Sequence, residues 1–247
     1  MSGVGPRRLV AGSMQATPSP PHVRGADRLV HAVELIVFLF LVGPSLVLSL
    51  FATRAVDQPF TLVAVASILR DLALVALVLF FLWRNGESVV RIGWTARHLV
   101  RDALLGVGLF VPTTLAAAGI DMGLRSLGLS GPGTEPPAPT PAHGPQIALA
   151  VVLVVVVAVA EETIFRGYIL SRLREWTGSA PLAVVLSAGI FAVGHGYEGS
   201  AGVVTVGFLG LVFAVVYLWR GSLVAPMVMH FCQDFVPLVV VPLLAHR

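Results

Sequence analysis

The sequence predicts an all-α polytopic transmembrane bundle of about seven helices, with its chemistry in the last four. Three observations lead there. Of 247 residues, 56% are hydrophobic and 12% charged, where soluble domains carry about a quarter charged residues; mean hydropathy is +0.89. Apolar runs of about 20 residues, long enough to cross a bilayer, recur near 31–52, 60–83, 103–121, 147–170, 181–197, 201–219 and 222–245. The sixteen basic residues are all Arg, and they segregate. With the N-terminus inside, inner segments hold Arg7, Arg8, Arg24, Arg28, Arg84, Arg91, Arg97, Arg101, Arg172, Arg174 and Arg220, whereas outer ones hold Arg54, Arg125 and Arg247. Positive charge stays on the cytoplasmic face, so a bacterial cytoplasmic membrane with a cytoplasmic N-terminus is the expected location.

Residues 1–28 are small, Pro-rich and basic, and read as a disordered tail. Arg7-Arg8 hints at an export signal, but "LVAGSMQATPSPP" breaks any apolar core of one. Residues 29–124 hold the first three spans. Arg70 and Asp71 interrupt the second; sequence neighbours point to different helix faces, so they need not pair; facing the bundle interior or a polar cavity is open to them, and a structural polar contact is the favoured reading. Residues 125–145 form a Pro-rich loop, "LSGPGTEPPAPTPAHGP" from Leu129, which no helix tolerates. Residues 146–247 hold four spans, the fifth and sixth of the chain being short. The single Cys232 excludes an internal disulfide and a Cys-rich metal site. A formal net charge of +3 suits anionic lipid headgroups better than nucleic acid.

The fourth span ends "AVAEETIFRGYIL". Each charge at mid-bilayer costs roughly 2.5–3.5 kcal/mol, so Glu161, Glu162 and Arg166 need a reason to be there. Glu162 and Arg166, four apart, share a helix face and can pair; Glu161 is turned about 100° away. One carboxylate is thus expected to be held by arginine and the other left for chemistry. The fifth span ends with Phe191 and His195 on one face, and the seventh carries His230 and Asp234 one turn apart. Singly, each is explained by helix–helix hydrogen bonding. Together, two Glu, two His and an Asp exceed what joining helices requires, and a functional cluster is expected.

Glu161-Glu162-x-x-x-Arg166, Phe191-x-x-x-His195 and His230-x-x-x-Asp234, in that order, resemble the CPBP family of CAAX-processing and bacteriocin-processing intramembrane proteases, related to the Rce-type prenyl endopeptidases. The resemblance covers roughly residues 145–245. Asp234 stands where the eukaryotic enzymes carry Asn. The resemblance implies hydrolysis of a membrane-associated protein or peptide, with catalytic residues Glu161, Glu162, Arg166, His195, His230 and Asp234. It implies that Glu161, helped by His195, activates water, that His230 with Asp234 stabilises the oxyanion, and that Glu162 and Arg166 brace the site. No cofactor is firmly implied. Zinc on Glu161, His195 and His230 would leave a position for water, but no partners that would orient the His ligands are identifiable, which favours a metal-free route.

Helix arithmetic raises a difficulty. A fourth helix starting at Ile147 puts Glu161 about 21 Å from the outer end, and a fifth starting at Pro181 puts His195 about 21 Å from the inner end. In a core about 30 Å thick these miss by roughly 12 Å. The expectation is that the fourth helix overruns Arg172 towards Trp176. "GLSG" at 128–131 resembles a rhomboid serine motif but opens a Pro-rich loop, and no HExxH occurs. The rival classes are a proton-coupled transporter, although no internal repeat is visible, and a catalytically silent scaffold or immunity factor of the same fold.

Overall fold

The computed structural model describes residues 21–49, 59–129, 140–141 and 144–245, and the description below concerns these. Residues 1–20, the segment 50–58 and most of the Pro-rich loop lie outside them. The backbone is already helical at Pro21.

The helices are α1 (Pro21–Ser49), α2 (Phe60–Arg84), α3 (Leu99–Ser126), α4 (Gly144–Thr177), α5 (Ala180–Gly194), α6 (Gly199–Arg220) and α7 (Val224–Phe235, continuing through Val236–Val240 to Ala245). Among the described residues there is no strand. Six helices are long and apolar enough to cross a membrane, and α5 is a shorter apolar helix. The protein is an integral membrane bundle, as its composition predicts. Large apolar side chains such as Phe40, Leu104, Leu115 and Trp219 face outward, because hydrocarbon rather than water surrounds them.

The expected overrun is present: α4 is one apolar helix of 34 residues. Its end is written in the sequence. Gly178 adopts a left-handed φ of 69°, and Ser179 caps α5 by accepting from the Leu182 N–H. Counted from that end, Glu161 lies 16 residues back from Thr177, about 24 Å, and His195 lies 15 residues beyond Ala180, about 22 Å. The two now share a depth.

Within α4, Glu162–Ile169 is π-helical, and all eight residues are buried. The Phe165 carbonyl takes the Leu170 N–H and also the Ser187 hydroxyl of α5. π turns are rare and concentrate at functional sites. A second one, Val236–Val240, follows Asp234; there Pro237 lacks the N–H that a regular turn needs.

Close approach brings α3 against α7. A Cβ on Gly106 would stand 2.7 Å from the Ala225 carbonyl and 2.8 Å from Val228 Cβ. At the arginine-rich end, charges tie α1 to the rest. Glu34 accepts from Arg84 and Asn85. Glu87 accepts from Arg172 at 2.6 Å, and His31 lies 3.2 Å from Glu87 and 2.9 Å from Glu175. Burial pushes the Glu87 carboxyl up, but Arg172, Arg91 and His31 outweigh it and hold it below the ordinary value. A depressed carboxylate stabilises the fold above its unfolded value and loses that contribution as pH falls through its folded one. Thermal unfolding in detergent should therefore show stability falling below about pH 4.5. Glu87→Gln should cost about 2 kcal/mol at neutral pH and flatten part of that acid limb.

Candidate active site

Arg166 and Glu162 form the centre of the bundle. Both are buried, and Arg166 Nη1 donates to Glu162 Oε1 at 2.8 Å, as their spacing predicts. Removing one partner of such a pair strands a charge, so the pair depends on further partners. Three more helices supply partners, and Glu162 Oε2 alone of the pair's oxygens is left buried without one among the described residues. Arg166 Nη2 reaches the Gly210 carbonyl of α6 at 3.4 Å. The guanidinium lies between two rings, 4.3 Å from the Phe191 centroid on α5 and 5.2 Å from that of Phe213 on α6, a favourable cation–π arrangement where water is excluded. His230 Nδ1 of α7 meets Glu162 Oε1 at 2.8 Å.

The other imidazole nitrogen of His230 faces two further carboxylates: Nε2 stands 3.4 Å from Asp234 Oδ2 and 3.8 Å from Glu161 Oε2. The three sequence stretches therefore converge. Glu162, His230 and Asp234 form a chain, with Glu161 at its edge.

Glu161 itself lies on the wall of a separate cavity of about 90 Å³, several times the 10–15 Å³ or so that one water needs. His195 lies on the same wall, with Arg70, Asp71 and Tyr197. Phe191 carries Arg166 on one side and packs against His195, with ring centroids 4.7 Å apart. Four residues on from Phe191 and five back from Arg166, His195 and Glu161 reach the same level. His195 Nδ1 lies 3.0 Å from the Phe191 carbonyl. A carbonyl only accepts, so Nδ1 carries the proton, and neutral His195 keeps its lone pair at Nε2. Glu161 Oε2 is buried and takes no hydrogen bond from the described residues. His230 is not among the cavity's lining residues; it sits behind Glu161.

Arg70 and Asp71 take one of the placements open to them from the sequence, on the wall of a polar cavity. They do pair, Arg70 Nε to Asp71 Oδ1 at 2.9 Å, because a long guanidinium can fold back along the helix to its neighbour. Both line the Glu161 cavity. Register explains why. Phe60 of α2 packs in one cluster with Ala150 of α4, and Phe81 stacks on Tyr168 further along, so the two helices run in the same direction. Ten residues past Phe60 is Arg70, about 15 Å along, and eleven past Ala150 is Glu161, about 16 Å along. An intramembrane Arg-Asp pair was the available signal; Tyr197 and Ser45, also on the wall, gave none.

Residues 143–236 match the family model for type II CAAX prenyl endopeptidase, Rce1-like. That segment is Rce1-like. The match supports a CAAX-type intramembrane protease at family level. No curated protein and no solved structure matches the chain. All six motif residues fall within the Rce1-like segment, whereas Arg70, Asp71 and Ser45 come from helices outside it.

A metal fits this geometry poorly. Among the described residues, no three His, Cys, Asp or Glu side chains are grouped to hold one ion. Glu161, His195 and His230 do not form a ligand set, and both His230 nitrogens already face carboxylates. Arg166→Met should strand Glu162 and lower stability by about 3–5 kcal/mol, read as a lower Tm in detergent; adding Glu162→Gln should restore part of the loss.

Proposed function

We propose that the protein is an intramembrane endopeptidase that hydrolyses a membrane-associated protein or peptide with water activated by Glu161 and His195. The observation that carries this reading is the shared cavity. Two residues with acceptor groups, Glu161 and His195, come from different helices and line one small cavity at the same depth in an apolar bundle. Acceptors so placed take the proton as a water oxygen attacks. The water lone pair forms the C–O bond while the carbonyl π pair moves onto oxygen. Collapse re-forms the carbonyl, breaks the C–N bond and passes the held proton to the leaving amine.

Glu162 and Arg166 brace this arrangement and do not exchange protons with substrate. His230, tied to Glu162 and Asp234, presents a fixed dipole behind Glu161 and keeps it aimed at the cavity. The route is metal-independent in this reading, because His230, the third side chain zinc would need, has both ring nitrogens facing carboxylates. We assign the arginine-rich end, with Arg84, Arg91, Arg172 and Arg174, to the cytoplasmic side; reporter fusions after Ser49 and after Arg84 test that orientation.

The decisive assay uses protein reconstituted in liposomes with two probes, a farnesylated peptide ending in a CAAX sequence and an unmodified single-span peptide. The first follows the family description; the second follows the absence of any prenyl requirement in the site chemistry. Glu161→Gln and His195→Ala should each abolish cleavage while leaving expression and Tm near wild type. Activity retained in Glu161→Gln would overturn the assignment. Undiminished cleavage in 1,10-phenanthroline, with no stoichiometric metal in the active protein, supports the metal-independent route; loss of activity restored by zinc reverses it.

A further inference from the structure

Among the described residues, two clefts away from the Glu161 cavity open at the arginine-rich end of the bundle, one on each side of the 89–94 turn. The first, of about 310 Å³, is walled by Arg91, Arg172 and Arg174 together with Ile92, Ser171 and Glu175. The second, of about 260 Å³, is almost wholly apolar, with Trp94, Leu99, Leu223 and Met227 on its wall. Together they fall within the size range of ligand sites, about 300–1,000 Å³.

A single residue step separates them. Ile92 belongs to the first wall and Gly93 to the second. Gly93 has a φ of 90°, and a Cβ there would stand 2.5 Å from Tyr217 Cε2, so only glycine lets the turn lie this close to α6. The Tyr217 hydroxyl lies by Ser171 and within electrostatic reach of Arg174. One ring thus reaches from the turn to the arginine wall. On the apolar side, the Leu223 N–H donates to the Gly93 carbonyl at 3.0 Å and holds α7 against the same turn.

Charge and exposure decide what fits. The first wall sets three guanidiniums against Glu175. Counting Glu87 as well, which accepts from Arg91 and Arg172, still leaves a positive excess. Arg91 and Arg174 are exposed, and Trp94 and Leu99 beside them are exposed apolar side chains. Tryptophan is favoured where headgroups meet acyl chains, and basic pockets on the cytoplasmic side of a bundle hold anionic headgroups. Residues 1–20 of the chain do not suit the arginine cleft, since they carry Arg7 and Arg8 and no acid. A free anion would leave the apolar cleft unused, and an uncharged lipid would leave the arginines unused.

We propose that the two clefts are one binding site for a single anionic phospholipid from the leaflet at this end, its phosphate at Arg91 and Arg174 and an acyl chain along Trp94, Leu99 and Met227. The site is separate from the Glu161 cavity, and its existence does not depend on the hydrolase reading. It is nevertheless joined to the π turn. Trp94 Nε1 donates to Thr163 Oγ1 at 3.1 Å, and a Cβ on Gly167 would stand 3.0 Å from the Ile92 carbonyl. A lipid held on the 89–94 turn therefore steadies the segment that carries Glu162 and Arg166.

The test uses the full chain in a nonionic detergent with Trp94 as its only tryptophan, the exposed Trp83, Trp176 and Trp219 being replaced by Phe. Lipids with brominated acyl chains quench a tryptophan that they touch. Brominated phosphatidylglycerol should quench Trp94 saturably, and brominated phosphatidylcholine should need about tenfold more. Arg174→Gln should weaken the phosphatidylglycerol response about fivefold and leave that to phosphatidylcholine unchanged. Ala96→Phe, which fills the apolar cleft, should weaken both. Wild-type protein should melt higher with phosphatidylglycerol than with phosphatidylcholine, and Arg174→Gln should shrink that difference. Equal quenching by the two lipids, or a selectivity untouched by Arg174→Gln, means that Trp94 meets only the ordinary lipid shell, and overturns the inference. So does displacement of the brominated lipid by millimolar inorganic phosphate, which makes the cleft a free-phosphate site. Displacement by the farnesylated peptide at a lower concentration than the lipid also overturns it, because the cleft is then a substrate port. If the single-tryptophan protein does not fold, the wild-type melting comparison decides, and no rise specific to phosphatidylglycerol counts against the site.

Discussion

The buried pair of Glu162 and Arg166 is the constraint on which the rest of the bundle depends. Neither group can be left alone in hydrocarbon, so each must collect partners, and those partners come from different helices. Arg166 takes the Gly210 carbonyl and the faces of Phe191 and Phe213; Glu162 takes His230. Four helices, α4 to α7, are thereby fixed about one point. Apolar packing alone would do this less well, because helices in lipid gain little from burying one apolar surface against another. The π turn at Glu162–Ile169 belongs to the same solution, since it buries every residue of that segment and frees the Phe165 carbonyl to receive Ser187.

The pairing also explains why two adjacent glutamates behave differently. Glu162 spends one oxygen on both Arg166 and His230 and is held behind the wall. Glu161, next in the chain, is swung towards α2 and α5, where the cavity lies. Each carboxylate keeps a buried Oε2 with no hydrogen bond among the described residues, so what separates them is Glu162 Oε1, held at once by Arg166 and His230. Chemistry placed one residue from that anchored group inherits its precision.

Much of this was legible in the sequence. Seven apolar runs predicted the helical bundle. Comparing two helix lengths showed that α4 had to overrun, because His195 could not otherwise reach Glu161. The i, i+4 spacing of Glu162 and Arg166 gave their contact. Two features were not legible. No residue pattern in "ETIFRGYI" announces a π turn, whose bonds to Ser187 and to Trp94, Nε1 of which donates to Thr163 Oγ1 at 3.1 Å, are made with distant parts of the chain. The place of Arg70 and Asp71 depends on the register between α2 and α4, set by contacts such as Phe60 with Ala150 that are about 90 residues apart in the chain. Local rules say what faces a neighbour along one helix, and nothing about which helix stands opposite.

That register changes how the first three helices should be understood. They lie outside the Rce1-like segment and read, from composition, as hydrophobic walls. Yet α2 brings a charged pair to the depth of Glu161, and α1 brings Ser45 and Leu46 to the same cavity. In the hydrolysis proposed above, the base and its bracing come from a segment whose motifs are tightly spaced. The opposite wall comes from helices whose only requirement is to be apolar and correctly registered. A peptide bond lying in the cavity would touch both. In the same proposed hydrolysis, the groups that activate water belong to α4 and α5, and the side chains admitted beside the peptide bond meet α1 and α2. Bundles sharing the same motif core can therefore share one hydrolytic step while differing in what they admit to it.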